Sequence, residues 1–213
     1  MKRTSKKTLT MVLFALCVLL CAVMLIACNP TPEQKEKAFN TYGKDKAFNK
    51  TSGGTVIHLA DGTKTYYIPS SVSGDYKTIS EYAAAKANTL TSAITINTST
   101  TDSSSSFFFS VAPYSDPDST NANATNWYSY STSTGVLSES EIRYSSNNLG
   151  PKNLQYKKHT ALHEIGHTFG LGHVNASILN GYTVMLSPHP DSKYELDDYG
   201  EFDRANIEWQ YGK

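Results

Sequence analysis

Residues 160–173, TALHEIGHTFGLGH, hold three of the chain's six histidines, and their spacing constrains the fold more than any other feature of the 213 residues. His163 and His167 stand four apart, so in a helix over 156–169 both imidazoles leave one face, a single turn apart. His173 breaks that geometry. In a continued helix it would lie roughly 15 Å along the axis from His163 and about 80° around it, out of reach of a shared ligand. Gly170 offers the way out, because a glycine takes the left-handed conformation that ends a helix and turns the chain, bringing His173 beneath the other two. Gly172 is expected to keep that return flexible.

Three neutral imidazoles with an open fourth position describe a catalytic zinc rather than a closed structural one. Glu164, next to the first ligand, is expected to face the open side, where a carboxylate can take a proton from an attacking water. The core HExxH occurs by accident, but HExxHxxGxxH fixes five residues. Ordinary residue frequencies make a chance match on the order of one in 10⁵ for a chain of this length. The plainer alternatives are an amphipathic helix with two half-buried histidines and a site that binds zinc but catalyses nothing. The presence of Glu164 speaks against the second.

Residues 163–173 resemble the signature of the metzincin zinc peptidases, and the HTFGLGH half is especially similar to the matrixin branch. The resemblance implies a mixed α/β (α+β) catalytic domain, with a small twisted sheet and two long helices above the cleft and a short C-terminal subdomain with one helix. It also implies one zinc held by His163, His167 and His173, with Glu164 as general base. Met185, in YTVMLSP, would be the Met-turn residue forming an apolar floor under the histidines; a lone methionine otherwise reads as core filling. The segment FDRANIEWQYG resembles the closing helix of matrixins, with Asp203, Ile207, Tyr211 and Gly212 on that pattern. Phe202, Ala205 and Trp209 are its expected buried face. An extended peptide substrate would pair with an edge strand, for which WYSYS (127–131) is the candidate.

Three departures qualify the resemblance. Val174 follows the third histidine, where metzincin families tend to carry a marker residue, and it is not the marker of matrixins, astacins or adamalysins. No histidine falls between His58 and His159, so the second, structural zinc of vertebrate matrixins has no ligands there, and one zinc is expected. No tyrosine stands two residues after Met185, so the extra tyrosine ligand of astacins and serralysins is missing from its usual place.

The N-terminus reads as an export signal over residues 1–27, with Lys2, Arg3, Lys6 and Lys7 ahead of an apolar run from Met11 to Ala27. A retained transmembrane helix is the alternative, at the lower limit of length. Leu25, Ile26 and Ala27 before Cys28 resemble the lipobox of bacterial lipoproteins, in which the cysteine is lipidated and becomes the mature N-terminus. That implies a protein anchored to the membrane of a bacterial cell envelope and facing outward. All three cysteines lie within the first 28 residues, so none remains to crosslink an exported domain.

Residues 28–52, rich in charge and punctuated by Pro30, Pro32 and Gly43, read as a tether, and 53–213 as the globular domain. A latency segment across the site is the other reading of that stretch, but no cysteine is there to block a metal. KAFN occurs at 37–40 and again at 46–49, too short to make a repeat architecture. In the domain, KTYYIP (64–69), AITIN (93–97), FFFSVA (107–112), WYSYS (127–131) and EIRYS (141–145) predict short strands. DYKTISEYAAAKANTL predicts a helix presenting Tyr76, Ile79, Tyr82, Ala83 and Leu90. The loop 115–126 has oxygen ligands for calcium but not the spacing of a defined calcium loop, and a solvated loop is the better reading.

Removal of the signal takes four basic residues, leaving 15 Lys and Arg against 19 Asp and Glu, a net charge of −4. Nothing basic invites nucleic acid. The expected partners are a protein or peptide substrate and, through the lipid anchor, a membrane; the protein itself is expected to be a monomer. The alternative from another class is a surface-anchored binding protein or adhesin whose zinc site is non-catalytic.

Overall fold

The computed structural model describes residues 30–102, 105–114, 121–188 and 195–212. The signal-like run and Cys28 lie outside the described residues, as do 115–120 of the Asp/Asn-rich loop and 189–194 beyond Met185. The chain divides into two compact units, 1–38 and 39–213, and helix α1 (Pro32–Tyr42) begins in the first and ends in the second. Its start is a reciprocal cap: Thr31 N–H donates to Gln34 Oε1 at 2.8 Å and Gln34 N–H to Thr31 Oγ1 at 3.2 Å, while Pro32 has no N–H to leave unpaired. No helix among the described residues is long and apolar enough to cross a membrane.

The second unit is mixed α/β. Strands β1 (Gly62–Tyr67), β2 (Ile94–Thr98), β3 (Phe107–Ala112), β4 (Ala124–Tyr130) and β5 (Leu137–Ser145) form one sheet in the order β2-β1-β3-β5-β4. Its first four members run parallel; β4 is antiparallel to β5 and forms one edge. Helices α2 (Asp75–Ala87) and α3 (Leu154–Thr168) pack on each other, and α4 (Glu201–Tyr211) closes the chain.

The period of two in the strands explains the core. Phe107 and Phe109 of β3 are buried while Phe108 and Ser110 between them stay half-exposed, and Ile142 and Tyr144 of β5 are buried likewise. Aromatic rings bridge the strands and α2: Tyr66 stacks on Phe107 at 5.9 Å, Phe109 on Tyr144 at 6.1 Å, and Tyr76 on Tyr144 at 5.8 Å. Helix α2 turns Ile79, Ala83, Ala84 and Ala87 inward, and the three alanines let its neighbour α3, whose buried residues include Ala161, Leu162 and Ile165, come close. Tyr76 and Tyr82, read from sequence as part of the apolar face of α2, remain half-exposed, and Ser80 takes a buried place by donating to Tyr76 O at 2.8 Å.

Two elements differ from the sequence reading. Residues 44–51, assigned by composition to a tether, are built into the second unit: Lys44–Ala47 is a 3₁₀ turn, Phe48 bridges Leu171, and Ala47, Phe48 and Thr51 are buried. The charges that suggest a tether, on Lys44, Asp45, Lys46 and Lys50, all face solvent, so composition reported only the outer side of the segment. Both KAFN copies place a phenylalanine against α4, Phe39 on Phe202 at 6.2 Å and Phe48 on Trp209 at 6.0 Å.

In α4 the buried residues are Phe202, Asp203, Asn206 and Ile207; Ala205 is half-exposed and Trp209 is 45% exposed. The expected face of Phe202, Ala205 and Trp209 is thus rotated. Two polar side chains have taken apolar-looking positions, because Asn206 Oδ1 accepts from Lys44 N–H at 2.7 Å, its Nδ2 donates to Phe202 O at 2.8 Å, and Asp203 is fully hydrogen-bonded.

Candidate metal centre

Helix α3 begins at Asn153, whose side chain accepts from Tyr156 N–H at 2.9 Å, and ends at Thr168. The end is a Schellman turn: Gly170 N–H donates to His167 O at 2.9 Å and Leu171 N–H to Gly166 O at 3.0 Å, with Gly170 at φ +94°. A Cβ on Gly170 would stand 1.8 Å from Ile57 O, so the position needs glycine for close approach as well as for φ. Tyr211 of α4 secures the same corner, donating to Phe169 O at 3.0 Å and accepting from Leu59 N–H at 3.0 Å. Gly172, read as a flexible hinge, has no positive φ; its Cα lies where a Cβ would meet Asn49 Oδ1 at 3.1 Å. It is there for close contact with the N-terminal segment, and its N–H donates to Ala47 O at 2.7 Å.

The turn brings His173 to the other two histidines. His163 Nε2 and His167 Nε2 each stand 3.1 Å from His173 Nε2, and the three residues are close enough to bind one metal ion. The opposite nitrogens are occupied. His163 Nδ1 lies 2.7 Å from Val184 O and His167 Nδ1 2.7 Å from Leu171 O. A carbonyl only accepts, so both Nδ1 atoms carry the proton and both Nε2 atoms turn bare lone pairs toward His173. A single His173 Nε2–H can satisfy one of them at most. The remaining facing lone pairs repel unless a cation lies between them, so the donor set itself fits a metal. Burial lowers all three imidazoles, His167 to about 4 and His163 well below its ordinary value, with mutual repulsion among the rings adding to the shift at both. They are neutral at physiological pH, as ligands must be.

Glu164 is 6% exposed and lines both cavities that meet at the histidines. One, of about 290 Å³, is bounded by β4 residues Ala124 to Tyr128 with Asn49, His167 and His173; the other, of about 130 Å³, by Asn123, Thr160, His163, Leu186 and Ser187. Because Ala124, Glu164 and His173 border both, the two form one groove alongside β4. Burial pushes the Glu164 carboxyl up to about 8, and a cation at the histidines would act in the opposite direction.

Met185 is buried, and its sulfur packs on the backbone of Gly166, the residue before His167, where an added Cβ would meet it at 2.5 Å. Its loop hangs from α4. Asp203 accepts from the Thr183 hydroxyl, from Val184 N–H at 2.8 Å and from Gly200 N–H at 3.0 Å, and Met185 N–H donates to Thr183 Oγ1 at 2.9 Å. Burial raises the Asp203 carboxyl to about 6, against the pull of those donors. Since Val184 also receives His163, α4 orients a candidate ligand through this loop. Met185→Leu, nearly volume-conserving, is expected to cost under about 1.5 kcal/mol of stability in denaturant unfolding. A larger loss would assign the sulfur a specific contact rather than apolar support.

Several contributors have no signature in the motif. Asn126 of β4 donates through Nδ2 to Glu164 O at 2.6 Å and to Thr168 Oγ1 at 2.7 Å, while its Oδ1 accepts from Ser140 at 2.6 Å. This buried network clamps the edge strand to the helix at the glutamate. Asn49 donates to Leu171 O at 3.2 Å, the carbonyl that also holds His167. His159, one turn before His163, stays outside the cluster and accepts from Leu196 N–H at 2.9 Å.

No protein-family model matches this chain, and no curated protein is detectably similar to it.

Proposed function

We propose that the protein is a metzincin-like zinc endopeptidase, acting on extracellular or envelope proteins from the outer surface of a bacterial membrane to which a lipidated Cys28 anchors it. The observation that carries the reading is the convergence of three Nε2 lone pairs, with Glu164 in the same groove. Nitrogens bound to one zinc at 2.0–2.1 Å with near-tetrahedral angles stand roughly 3.3 Å apart, close to the 3.1 Å separations here. Only three protein ligands converge among the described residues, which suits a catalytic rather than a structural ion.

A zinc ion held there supplies a Lewis acid that polarises a substrate carbonyl and acidifies water. His163, His167 and His173 hold it, and Val184 O and Leu171 O fix the tautomer that leaves Nε2 free to do so. Glu164 takes the proton of the attacking water and passes it to the departing amine nitrogen. The edge strand β4 aligns the peptide as an added strand, and the Asn126 network holds that strand at a set distance from Glu164. Met185 supports the helix from beneath at Gly166.

Two measurements test the proposal directly. Purified protein should contain about one zinc per chain by elemental analysis and degrade a denatured protein in a chelator-sensitive way. Zinc without cleavage would favour the binding-protein alternative, and a value near two would reveal a second site. For the anchor, Cys28→Ala should release the protein from membranes or leave its precursor uncleaved. Processing and membrane partition like wild type would remove the lipoprotein part of the proposal and leave the peptidase part standing.

A further inference from the structure

On the side of the sheet turned away from α3, the register lines up Phe108 of β3, Glu141 of β5 and Trp127 of β4 in one row, and Glu139 opposite Ser129 in the next. These residues and Tyr128 enclose a cavity of about 230 Å³. Trp127 and Tyr128 also border the groove at the histidines, so a strand added along β4 would touch both cavities. Side chains alternate along such a strand, and every second one would point toward Trp127 and Ser129.

The charges of this cavity are unequal. Glu141 is matched: Arg143 reaches it through Nε at 3.0 Å and Nη2 at 2.9 Å, Ser110 donates to it at 2.6 Å, and Arg143 lies over the Trp127 ring at 4.2 Å. Glu139 is exposed and has no ion pair among the described residues. Trp127 is 42% exposed. An unmatched carboxylate beside aromatic walls is complementary to a cation with an apolar stem. Reach selects the same group. From a strand beyond β4, Glu139 is two strand spacings away, about 10 Å, which the long stem of Lys or Arg plus the length of the Glu139 side chain can span. Ser129, small and between them, leaves the path open.

We propose that this cavity is a specificity subsite for a Lys or Arg side chain of the peptide strand lying on β4, with Glu139 as its counter-ion and Trp127 and Phe108 as its walls. This deepens the peptidase reading and rests on it for the nature of the ligand.

The test has a catalytic and a non-catalytic arm, both with the full mature chain. In the first, Lys, Ala and Glu are placed in turn at each position of a peptide the protein cleaves. One position, displaced from the cleaved bond, should show Lys favoured over Glu by about tenfold in kcat/KM, less at high salt. Glu139→Gln should flatten that preference and Glu139→Lys should invert it, an outcome a merely structural role cannot produce. In the second, the same peptides are bound to Glu164→Gln protein by fluorescence polarisation, alone and with Glu139→Lys, and the charge preference should reappear in Kd. Cleavage without charge dependence, or a charge preference that Glu139→Lys leaves in place, overturns the subsite. Charge-dependent binding that inverts with Glu139→Lys in a protein whose wild type cleaves nothing upholds the subsite and sinks the peptidase reading instead.

Discussion

Glu164→Gln is expected to keep the metal and the fold while peptide hydrolysis falls by about 10² to 10⁴-fold, the usual worth of a general base. Gln preserves the shape of the side chain and removes only the group that accepts the proton. Glu164 is adjacent to a candidate ligand without belonging to the three-histidine cluster, and its backbone carbonyl, held by Asn126, is untouched by the change. Replacing a buried carboxyl by an amide also removes a group that burial already disfavours in its charged form, so stability should not fall. The measurements are zinc content, thermal unfolding and kcat/KM on one peptide. Loss of zinc would make Glu164 a ligand or a structural support, and unchanged cleavage would end the mechanism proposed above.

Gly170→Ala is expected to cost about 3 to 5 kcal/mol of stability. Two costs add. The residue sits at φ +94°, where an L side chain is strained by about 1–3 kcal/mol, and its Cβ would lie 1.8 Å from Ile57 O, a backbone atom that cannot rotate away. Ile57 N–H is itself bonded to Asn49 O at 2.8 Å, so relief must move the N-terminal segment or the turn. Either movement displaces Leu171 O, which receives His167, and the path to His173. Metal affinity should therefore fall together with stability, read as the midpoint of denaturant unfolding and as zinc retention against a competing chelator. A variant with wild-type unfolding and zinc retention would show that the turn has another conformation open to it.

The elements of the second unit were legible wherever one local period dominates. FFFSVA, a short apolar run between Ser-rich stretches, forms β3 over the residues anticipated, and the apolar spacing after Asp75 marks α2 to within a few residues of its end. All of WYSYS but Ser131 lies in β4, which proves to be an edge, though no local pattern in it distinguishes an edge from an interior strand. Where local signals misled, the cause was a partner far along the chain. Lys44, Lys46 and Lys50 make residues 44–51 look solvated, yet Phe48 and Ala47 between them are buried against a turn some 120 residues later, as the 122-residue separation of Asn49 from Leu171 shows. Trp209 looked like the buried anchor of α4 and is half outside, while Asn206 is inside because Lys44 N–H meets it there.

The sequence by itself determined which side chains can meet a metal: the four-position step from His163 to His167 puts them on one helical face, and a glycine at 170 allows the chain to return with His173. Those are consequences of helix geometry and of the one residue without a Cβ, and they need no partner. The tertiary structure alone decided what holds the imidazoles in place. Val184 O, 21 residues from His163, and the Asp203 that anchors its loop could not be read from the motif, because every residue carries the same carbonyl and only folding selects which one faces a ring. The Asn126 network and the unmatched Glu139 beside Trp127 belong to the same class. Each depends on the register of strands that are neighbours in space, a property set by the pairing of β4 with β5 and their packing against α3 rather than by any local run of residues.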